Sequence, residues 1–290
     1  MADTVDQHFT VQYTTNWIHR VQQTKGRLTE FCDWQDFDGE FKRYDRLASM
    51  TPNTISARKS ATVVSDATDD FRWCTASAAD ITNTLDEFDR KQLAPLVLPD
   101  SDYIKAHAAS HHRWYDDEIL SAAIAATVTG EARGGTDPIL ATAQEDTTAA
   151  ALSVDKLRTL NRILDEADVD EGDSERVLVV SAKMKEQLLK DDEAISGDYA
   201  RVKALVNGEV DFYMGFRFVQ NQRLDNVSGD IYRAVAWIKG AIKGIKGPMM
   251  SHLDIIPEFR HMLQVRSVWR GGCCRMHNEM VAISQIDESA

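Results

Sequence analysis

The sequence is poor in the features that define membrane and secreted proteins. Its 290 residues include only four cysteines, two of them adjacent at Cys273 and Cys274, which is not the spacing of a disulfide framework. The longest nearly apolar run, residues 119–128, is interrupted by Ser and Thr and is far shorter than the roughly 20 residues that span a bilayer. The first residues contain neither a basic nor an apolar region, so no signal peptide is expected. We therefore expect a protein that folds in the reducing cytosol and has no membrane partner.

Clustered positive charge is also missing. The net charge is −13; the first sixty residues sum to zero, residues 61–230 to −16 and the last sixty to +3. Tight binding to nucleic-acid phosphates requires grouped Lys and Arg, so the charge argues against a transcription factor or a histone-like protein. A protein that only encloses nucleic acid is still compatible with this balance. Hydrophobic residues make up 43%, which is enough to build a core.

No enzyme motif is complete. The stretch Lys239–Lys246 alternates Lys with Gly but lacks the Ser or Thr and the following helix of a phosphate-binding loop, so we interpret it as a solvated turn. His107 and His111 are one helical turn apart and could bind a metal. Cys273 and His277 could form a thiol–imidazole pair. A half-buried helix face and buried thiols are the favoured interpretations, so we predict no catalytic residue, cofactor or metal, with a cytosolic α+β enzyme using one of these pairs as the alternative.

The N-terminal quarter is rich in aromatic residues and poor in aliphatic ones. A short helix near residues 14–23 would belong to a terminal arm, and the Asp38-Gly39 pair between extended segments predicts a β-hairpin. A second extended run is expected at residues 56–65 and a third at 71–75. Such strands cannot form a core of their own, so we expect a ribbon that is buried against a neighbour. The candidate contact residues are Trp17, Ile18, Phe31, Trp34, Phe37, Phe41 and Tyr44.

The longest helix is predicted over residues 102–128. The segment has no Pro or Gly, is rich in Ala, and follows the capping sequence Asp100-Ser-Asp. Its length would be about 40 Å at 1.5 Å per residue. Its second half is apolar almost all round, which predicts burial between layers.

A compact α/β lobe is predicted over residues 153–225. Ser153 and Ser181 are expected to cap two helices on either side of a buried strand at 177–180, and further elements follow at 198–207 and 216–219. Strands then dominate to the end of the chain. They are predicted at 232–238, 262–269 and 279–286, with Gly271-Gly272 forming the last turn. The predicted fold class is α+β.

The order of these segments and several local sequences resemble one protein family. The quoted stretches are LRTLNRILDEADV (157–169), RVLVVS (176–181), VNGEVD (206–211), MGFRF (214–218) and AVAWIK (234–239). Together they resemble the major capsid protein of tailed double-stranded DNA bacteriophages, in particular its podovirus-type members. The resemblance covers roughly residues 20–286 and is strongest in the α/β lobe.

The resemblance implies an architecture. A Hong Kong-97-type capsid fold would divide the chain into an N-terminal arm (1–25), an extended loop (26–75), a peripheral domain carrying the long spine helix (76–135), an axial domain (136–250) and return strands of the peripheral domain (251–290). The strand around Ala234 is likewise expected to return to the peripheral domain.

The resemblance also implies a function. The chain would assemble with itself, as hexamers and pentamers, into the icosahedral shell that encloses the phage DNA without sequence-specific binding. Assembly in the host cytoplasm would involve a scaffolding protein and a portal, and a decoration protein in some cases, and the product would be part of the virion. An encapsulin-like shell that holds a cargo protein is the closest alternative.

Overall fold

The computed structural model describes residues 23–47, 50–55, 58, 61–64, 69–85, 102–138, 144–168, 175–190, 212–259 and 261–290. The helices predicted near 14–23 and 198–207, and with them Trp17 and Ile18, lie outside these residues. The α-helices within them are α1 (Asp102–Ile124), α2 (Val154–Glu166) and α3 (Ala182–Lys190). None of these is long and apolar enough to cross a membrane.

Strands are the commonest secondary structure of the described chain, and their combination with three α-helices confirms the α+β class. The strands are β1 (Asp33–Asp36), β2 (Phe41–Leu47), β3 (Asp69–Thr75), β4 (Ser77–Leu85), β5 (Thr127–Thr129), β6 (Gly135–Asp137), β7 (Glu145–Ala150), β8 (Arg176–Val180), β9 (Phe212–Tyr213), β10 (Phe216–Gln220), β11 (Asn226–Ser228), β12 (Ile231–Ile238), β13 (Ile242–Lys246), β14 (Met250–Ile256), β15 (Met262–Arg275) and β16 (Val281–Asp287). Residues 50–55, 58 and 61–64 are not in strands, so the run expected at 56–65 is wrong where it can be compared.

The strands form three sheets. One has the order β7-β16-β12-β8-β10-β9, with β11 added beside β12. The second has the order β1-β13-β15-β14, and β4 pairs with the other side of β15. The third is β2-β3-β5-β6. Strand β15, near the end of the chain, thus pairs directly with β4 and is connected through β13 to β1, both of which come from the first third of the chain.

The described part of the α/β lobe has the predicted helices and strands, but the side chain of Ser153 makes no capping hydrogen bond to α2. The Oγ of Ser181 accepts a hydrogen bond from the backbone N–H of Met184 at 3.2 Å, which caps α3. Helix α2 buries the apolar stripe Leu157, Leu160 and Leu164 in the main core. Strand β8 is flanked by β10 and β12, and its valines are shielded on both faces. Strand β12 lies beside β8 in this sheet, and β16 lies beside β12.

Helix α1 ends at Ile124 and not at residue 128. Its last carbonyls need donors, because the final turn of a helix leaves them without partners. The guanidinium of Arg275 supplies them: its Nη1 donates to the carbonyl oxygens of Ala123 at 2.8 Å and Ala125 at 2.9 Å. Strand β5 then starts at Thr127, so Arg275 binds the backbone at the point where the helix ends and the strand begins.

The Asp38-Gly39 pair does not form the predicted hairpin. Strand β1 pairs in parallel with β13, whereas β2 pairs antiparallel with β3, so the two strands beside this turn belong to different sheets. The reason is a side-chain fit on β13. A Cβ on Gly244 would lie 2.4 Å from the ring of Trp34, so only glycine leaves room for this tryptophan.

Gly271-Gly272 is not a turn either, because both residues lie inside β15. A Cβ on Gly272 would be 2.1 Å from the carbonyl oxygen of Thr75, and one on Gly271 would be 2.7 Å from the Tyr115 hydroxyl. These glycines let β3 and α1 approach the strand closely. The solvated turn predicted at Lys239–Lys246 is confirmed only at its start: residues 239–240 turn and Lys239 is exposed, whereas Ile242 and Ile245 of β13 are fully buried in a core strand.

Candidate assembly interface

The hairpin formed by β2 and β3 has one buried face and one open face. Tyr44, Arg72 and Cys74 point inwards and are buried. The opposite face carries Phe41 and the residue pair Arg43↔Trp73, because residues directly opposite in an antiparallel pair share a face. The hairpin is therefore anchored by its inner side and presents its outer side to whatever lies next to the subunit.

Arginines cover the aromatic rings of this outer face. The guanidinium of Arg133 lies 3.8 Å from the ring centre of Phe41, and that of Arg43 lies 4.7 Å from the ring centre of Phe71. The indole N–H of Trp73 donates to the carbonyl of Gly130 at 2.7 Å. Cation–π contacts of this kind hold rings in fixed positions. The result is an ordered surface of alternating aromatic and positive groups.

Exposed apolar side chains extend from this surface into the loop between the two strands. Ile55, for example, is 83% exposed. The members in this part of the chain are Phe41, Leu47, Met50, Ile55, Val63 and Val64; we call them the hairpin apolar group. A second group lies on β14 and just after it, and consists of Met250, Leu253, Ile255 and Phe259. Apolar groups concentrated in this way mark interaction sites.

The contact candidates chosen from sequence divide between the core and this surface. Phe31 and Tyr44 are buried within the subunit. Trp34 packs edge-to-face on Tyr115 and its indole N–H donates to the carbonyl of Thr29 at 2.7 Å. Phe37 is partly buried against the second core cluster. Phe41, at 37% exposed, is the described candidate that most clearly faces outwards.

The start of the described chain is tied to the centre of α1 by Asp116. This carboxylate is fully buried and accepts hydrogen bonds from the Gln23 side chain at 2.6 Å and from the backbone N–H groups of Arg27 and Leu28 at 3.1 Å. Arg113 donates to the carbonyl of Gln23 at 3.3 Å. The segment leading to the hairpin therefore leaves from a fixed point on the long helix.

The histidine pair does not have the arrangement of a metal site. His107 is buried, and its two ring nitrogens lie 2.9 Å from Ser267 Oγ and 3.0 Å from Asn83 Nδ2, so both are already engaged. His111 packs against the rings of Tyr115 and Trp269, and burial lowers its pKa to about 4. Across the part of the chain that the structure describes, no three His, Cys, Asp or Glu side chains are grouped to hold a metal.

The thiol–imidazole pair lacks the electrostatics of a nucleophile. Burial raises the pKa of the Cys273 thiol well above its usual value, so the reactive thiolate is not formed at neutral pH. Burial lowers the pKa of His277, which therefore carries no charge that could stabilise a thiolate. The pattern matches a partly buried structural cysteine.

The sequence profile of one family covers almost the whole chain. The family is described as "Phage capsid protein", and its profile matches residues 5–288. The chain belongs to the phage capsid protein family. Its role is therefore structural, as a major capsid protein of the shell of the virion. No curated protein matches the sequence closely enough to count as a relative.

Solved phage structures share the fold of this capsid protein at low sequence identity. The structure titled as the capsid asymmetric unit of cyanophage Pam1 is 11% identical, with a TM-score of 0.74 and full coverage of both chains. A structure from Mycobacterium phage Che8 is 15% identical, with a TM-score of 0.72 over 97% of this chain and 98% of the other. The mature capsid of bacteriophage PhiM1 is 13% identical, with a TM-score of 0.69 over 96% and 92%. The expected Hong Kong-97-type fold is confirmed.

We expect Asp116→Asn to destabilise this capsid subunit by about 2 kcal/mol, because the amide places a donor where N–H groups already point and removes the charge that strengthens their bonds. Asp117→Asn is the matched control, since the Asp117 side chain is half exposed and its ion pair with Arg223 is worth less than about 1 kcal/mol. Urea unfolding of the unassembled subunits measures both changes. Equal losses in the two variants would show that Asp116 does not anchor the chain.

Proposed function

We propose that the chain assembles with copies of itself, as hexamers and pentamers, into an icosahedral shell around double-stranded DNA. The observation that carries this proposal is the hairpin apolar group, which a single subunit leaves uncovered. Burying apolar surface contributes roughly 25 cal/mol per Å², so covering it with a neighbour favours association strongly. Contacts between two different surfaces of the subunit, repeated from copy to copy, form a closed assembly when the rotation from each copy to the next returns to the first copy.

The contacts between subunits are proposed to involve Trp17 and Ile18 of the arm, Phe37 just before the hairpin and Phe41 on it. The other three candidates, Phe31, Trp34 and Tyr44, support the hairpin from within the subunit and set its direction. For the five candidates that the structure describes, this division is supported by the burial of each side chain. It leaves the exposed end of the hairpin as the part that reaches the neighbouring copy.

The proposed domains are the arm (1–25), the extended loop (26–75), a peripheral domain built around α1 and an axial domain over about 136–250. The sheet topology supports two changes at the boundaries. Strand β13 pairs with β1 and β15 and so goes with the peripheral domain, whereas β16 pairs with β12 and β7 and so goes with the axial domain.

Other proposed partners are a scaffolding protein, a portal and a decoration protein. The acidic balance of the chain supports weak, non-specific contact with the enclosed DNA, since a lumen that bound phosphates tightly would hinder genome entry. An encapsulin-like shell would have the same apolar contacts but would contain a cargo protein. Nucleic-acid content of particles from infected cells distinguishes the two.

Assembly is tested with the double variant Ile55→Ser/Val64→Ser. We expect the wild-type chain, with its scaffolding protein if needed, to form megadalton particles seen by gel filtration and negative-stain electron microscopy. The double variant should keep its far-ultraviolet circular dichroism and lose at least about tenfold in particle yield, because both side chains are exposed in the subunit and its fold does not depend on them. The matched control Val227→Ser, on β11 of the axial domain, should assemble normally. A wild-type chain that stays monomeric under all conditions would overturn the proposal.

A further inference from the structure

The four cysteines are arranged in two pairs on opposite faces of one strand. Cys273 and Cys274 are neighbours on β15, and consecutive side chains of a strand point to opposite faces. Cys273 packs against the main core cluster, which contains Cys32. Cys274 lies in the second cluster together with Cys74. Each face of β15 thus brings one cysteine close to one cysteine from the N-terminal third of the chain.

The backbones of β3 and β15 approach each other closely beside Cys74 and Cys274. A Cβ on Gly272 would lie 2.1 Å from the carbonyl oxygen of Thr75, so β3 crosses over β15 at these two residues. Cys74 is next to Thr75, Cys274 is two residues after Gly272, and both side chains belong to the same small buried cluster. A disulfide requires Cα atoms within about 7 Å of each other, a distance that so close a crossing permits.

The two thiols are close enough to affect each other's ionisation. Hydrogen bonding with the Cys274 thiol, together with burial, holds the pKa of Cys74 well above its usual range. Tyr44, Ile245 and Met276 complete the apolar surroundings. Both thiols are shielded from water, so the pair stays reduced in a reducing cytosol.

We propose that Cys74 and Cys274 are a modification site, assembled as two thiols and closed to an intrachain disulfide when the shell meets a small-molecule disulfide outside the cell. The inference rests on the proposed function, because a shell released from its host leaves the reducing compartment. One protein thiol attacks the small disulfide and expels one thiol, and the second protein thiol then displaces the other. Two protein S–H bonds and one S–S bond are exchanged for one protein S–S bond and two small thiols.

The bond would fix the angle of the hairpin. Cys74 is the second-last residue of β3, and Cys274 is the second-last residue of β15. Joining them locks the base of the hairpin to β15. Because the oxidant reaches the thiols only when this base opens, the reaction should take hours and not seconds.

Peptide mapping after treatment with oxidised glutathione tests the site. Trypsin cleaves after Arg72, Arg270 and Arg275, so Cys273 and Cys274 share the peptide 271–275. The variant Cys273→Ser removes this ambiguity. We expect its non-reduced digest to contain peptide 271–275 joined to the peptide that begins at Trp73, with a mass two hydrogens below the sum of the separate peptides. Cys74→Ser should abolish this species, and the control Cys32→Ser should retain it.

Thermal unfolding gives the second readout. Oxidation should raise the unfolding midpoint of the wild-type chain and of Cys273→Ser by at least about 5 °C, and should leave Cys74→Ser unchanged. A cross-link to the Cys32 peptide in the wild type, or no cross-link in folded protein under conditions that oxidise the urea-unfolded chain, would overturn the assignment. Electron microscopy of the same samples reads particle formation separately, so a chain that cross-links without assembling counts against the proposed function and not against this site.

Discussion

Replacing Arg275 by methionine is expected to lower the free energy of unfolding by about 4 kcal/mol. The guanidinium is fully buried, and besides the two carbonyls at the end of α1 it donates to Asn278 Oδ1 at 2.7 Å and to the carbonyl of Asp137 at 3.3 Å. Methionine fills a similar volume but leaves these acceptors buried without donors, at about 1–3 kcal/mol for each group that finds no other partner. The end of α1 and the start of β5 should loosen together.

Arg266→Met is the matched control for this change. It lies on the same strand, its side chain is about half exposed, and its ion pair with Asp80 at 3.1 Å should contribute less than about 1 kcal/mol. Arg275→Lys should fall between the two, because an ammonium group cannot reach all four acceptors. Urea unfolding of unassembled subunits, followed by circular dichroism, measures the series. If Arg275→Met costs no more than Arg266→Met, the arginine does not hold the helix end.

Gly272→Ala is expected to cost about 3 kcal/mol and to prevent normal assembly. The new Cβ would meet the Thr75 carbonyl, which is backbone and cannot rotate away, so β3 or β15 must shift. Moving β3 redirects the whole hairpin and its apolar group. The variant should therefore lose more particle yield than its loss of stability alone explains.

Gly134→Ala provides the comparison, because a Cβ there meets no atom within 4 Å. We expect its stability to stay within about 0.5 kcal/mol of the wild type and its particles to look normal. Both variants are measured by urea unfolding of the subunit and by particle counting in negative stain. A Gly272→Ala chain that unfolds and assembles like Gly134→Ala would show that the close crossing of β3 over β15 is not required.

Local signals predicted the α/β lobe well. The stripe of leucines in α2, the cap at Ser181 and the run of valines in β8 all act within a few residues of one another. Short-range periodicity and capping are therefore sufficient there.

Long-range contacts decided the elements that the sequence predicted wrongly. The Asp38-Gly39 pair has the composition of a hairpin turn, but Trp34 fits over Gly244 on β13, some two hundred residues later, and draws β1 into another sheet. Helix α1 lacks a local stop before Gly130, and the partner of its last carbonyls is Arg275. No window of neighbouring residues contains either contact.

Sequence predicted the exposed ribbon as a region, but it did not predict which side chains are exposed. Aromatic content indicated the ribbon, yet aromatic residues are as useful inside a subunit as between subunits, and Phe31 and Tyr44 are inside. The exposed Ile55 and Val64 stand among polar residues with no periodicity, so nothing in the sequence marked them. Their exposure is visible only in the folded structure.

The bond from Arg275 to the end of α1 has a consequence for the order of events during synthesis. The two residues that it joins, Ala123 and Arg275, are 152 positions apart. A ribosome adding about 5–20 residues per second needs roughly 8–30 s to cover that interval. During this time the long helix has no partner at its end, and β3 and β4 have no β15 beside them. A nascent chain therefore cannot present a finished hairpin to its neighbours. Contact between chains that are being translated from the same messenger RNA is disfavoured until most of the subunit has been made.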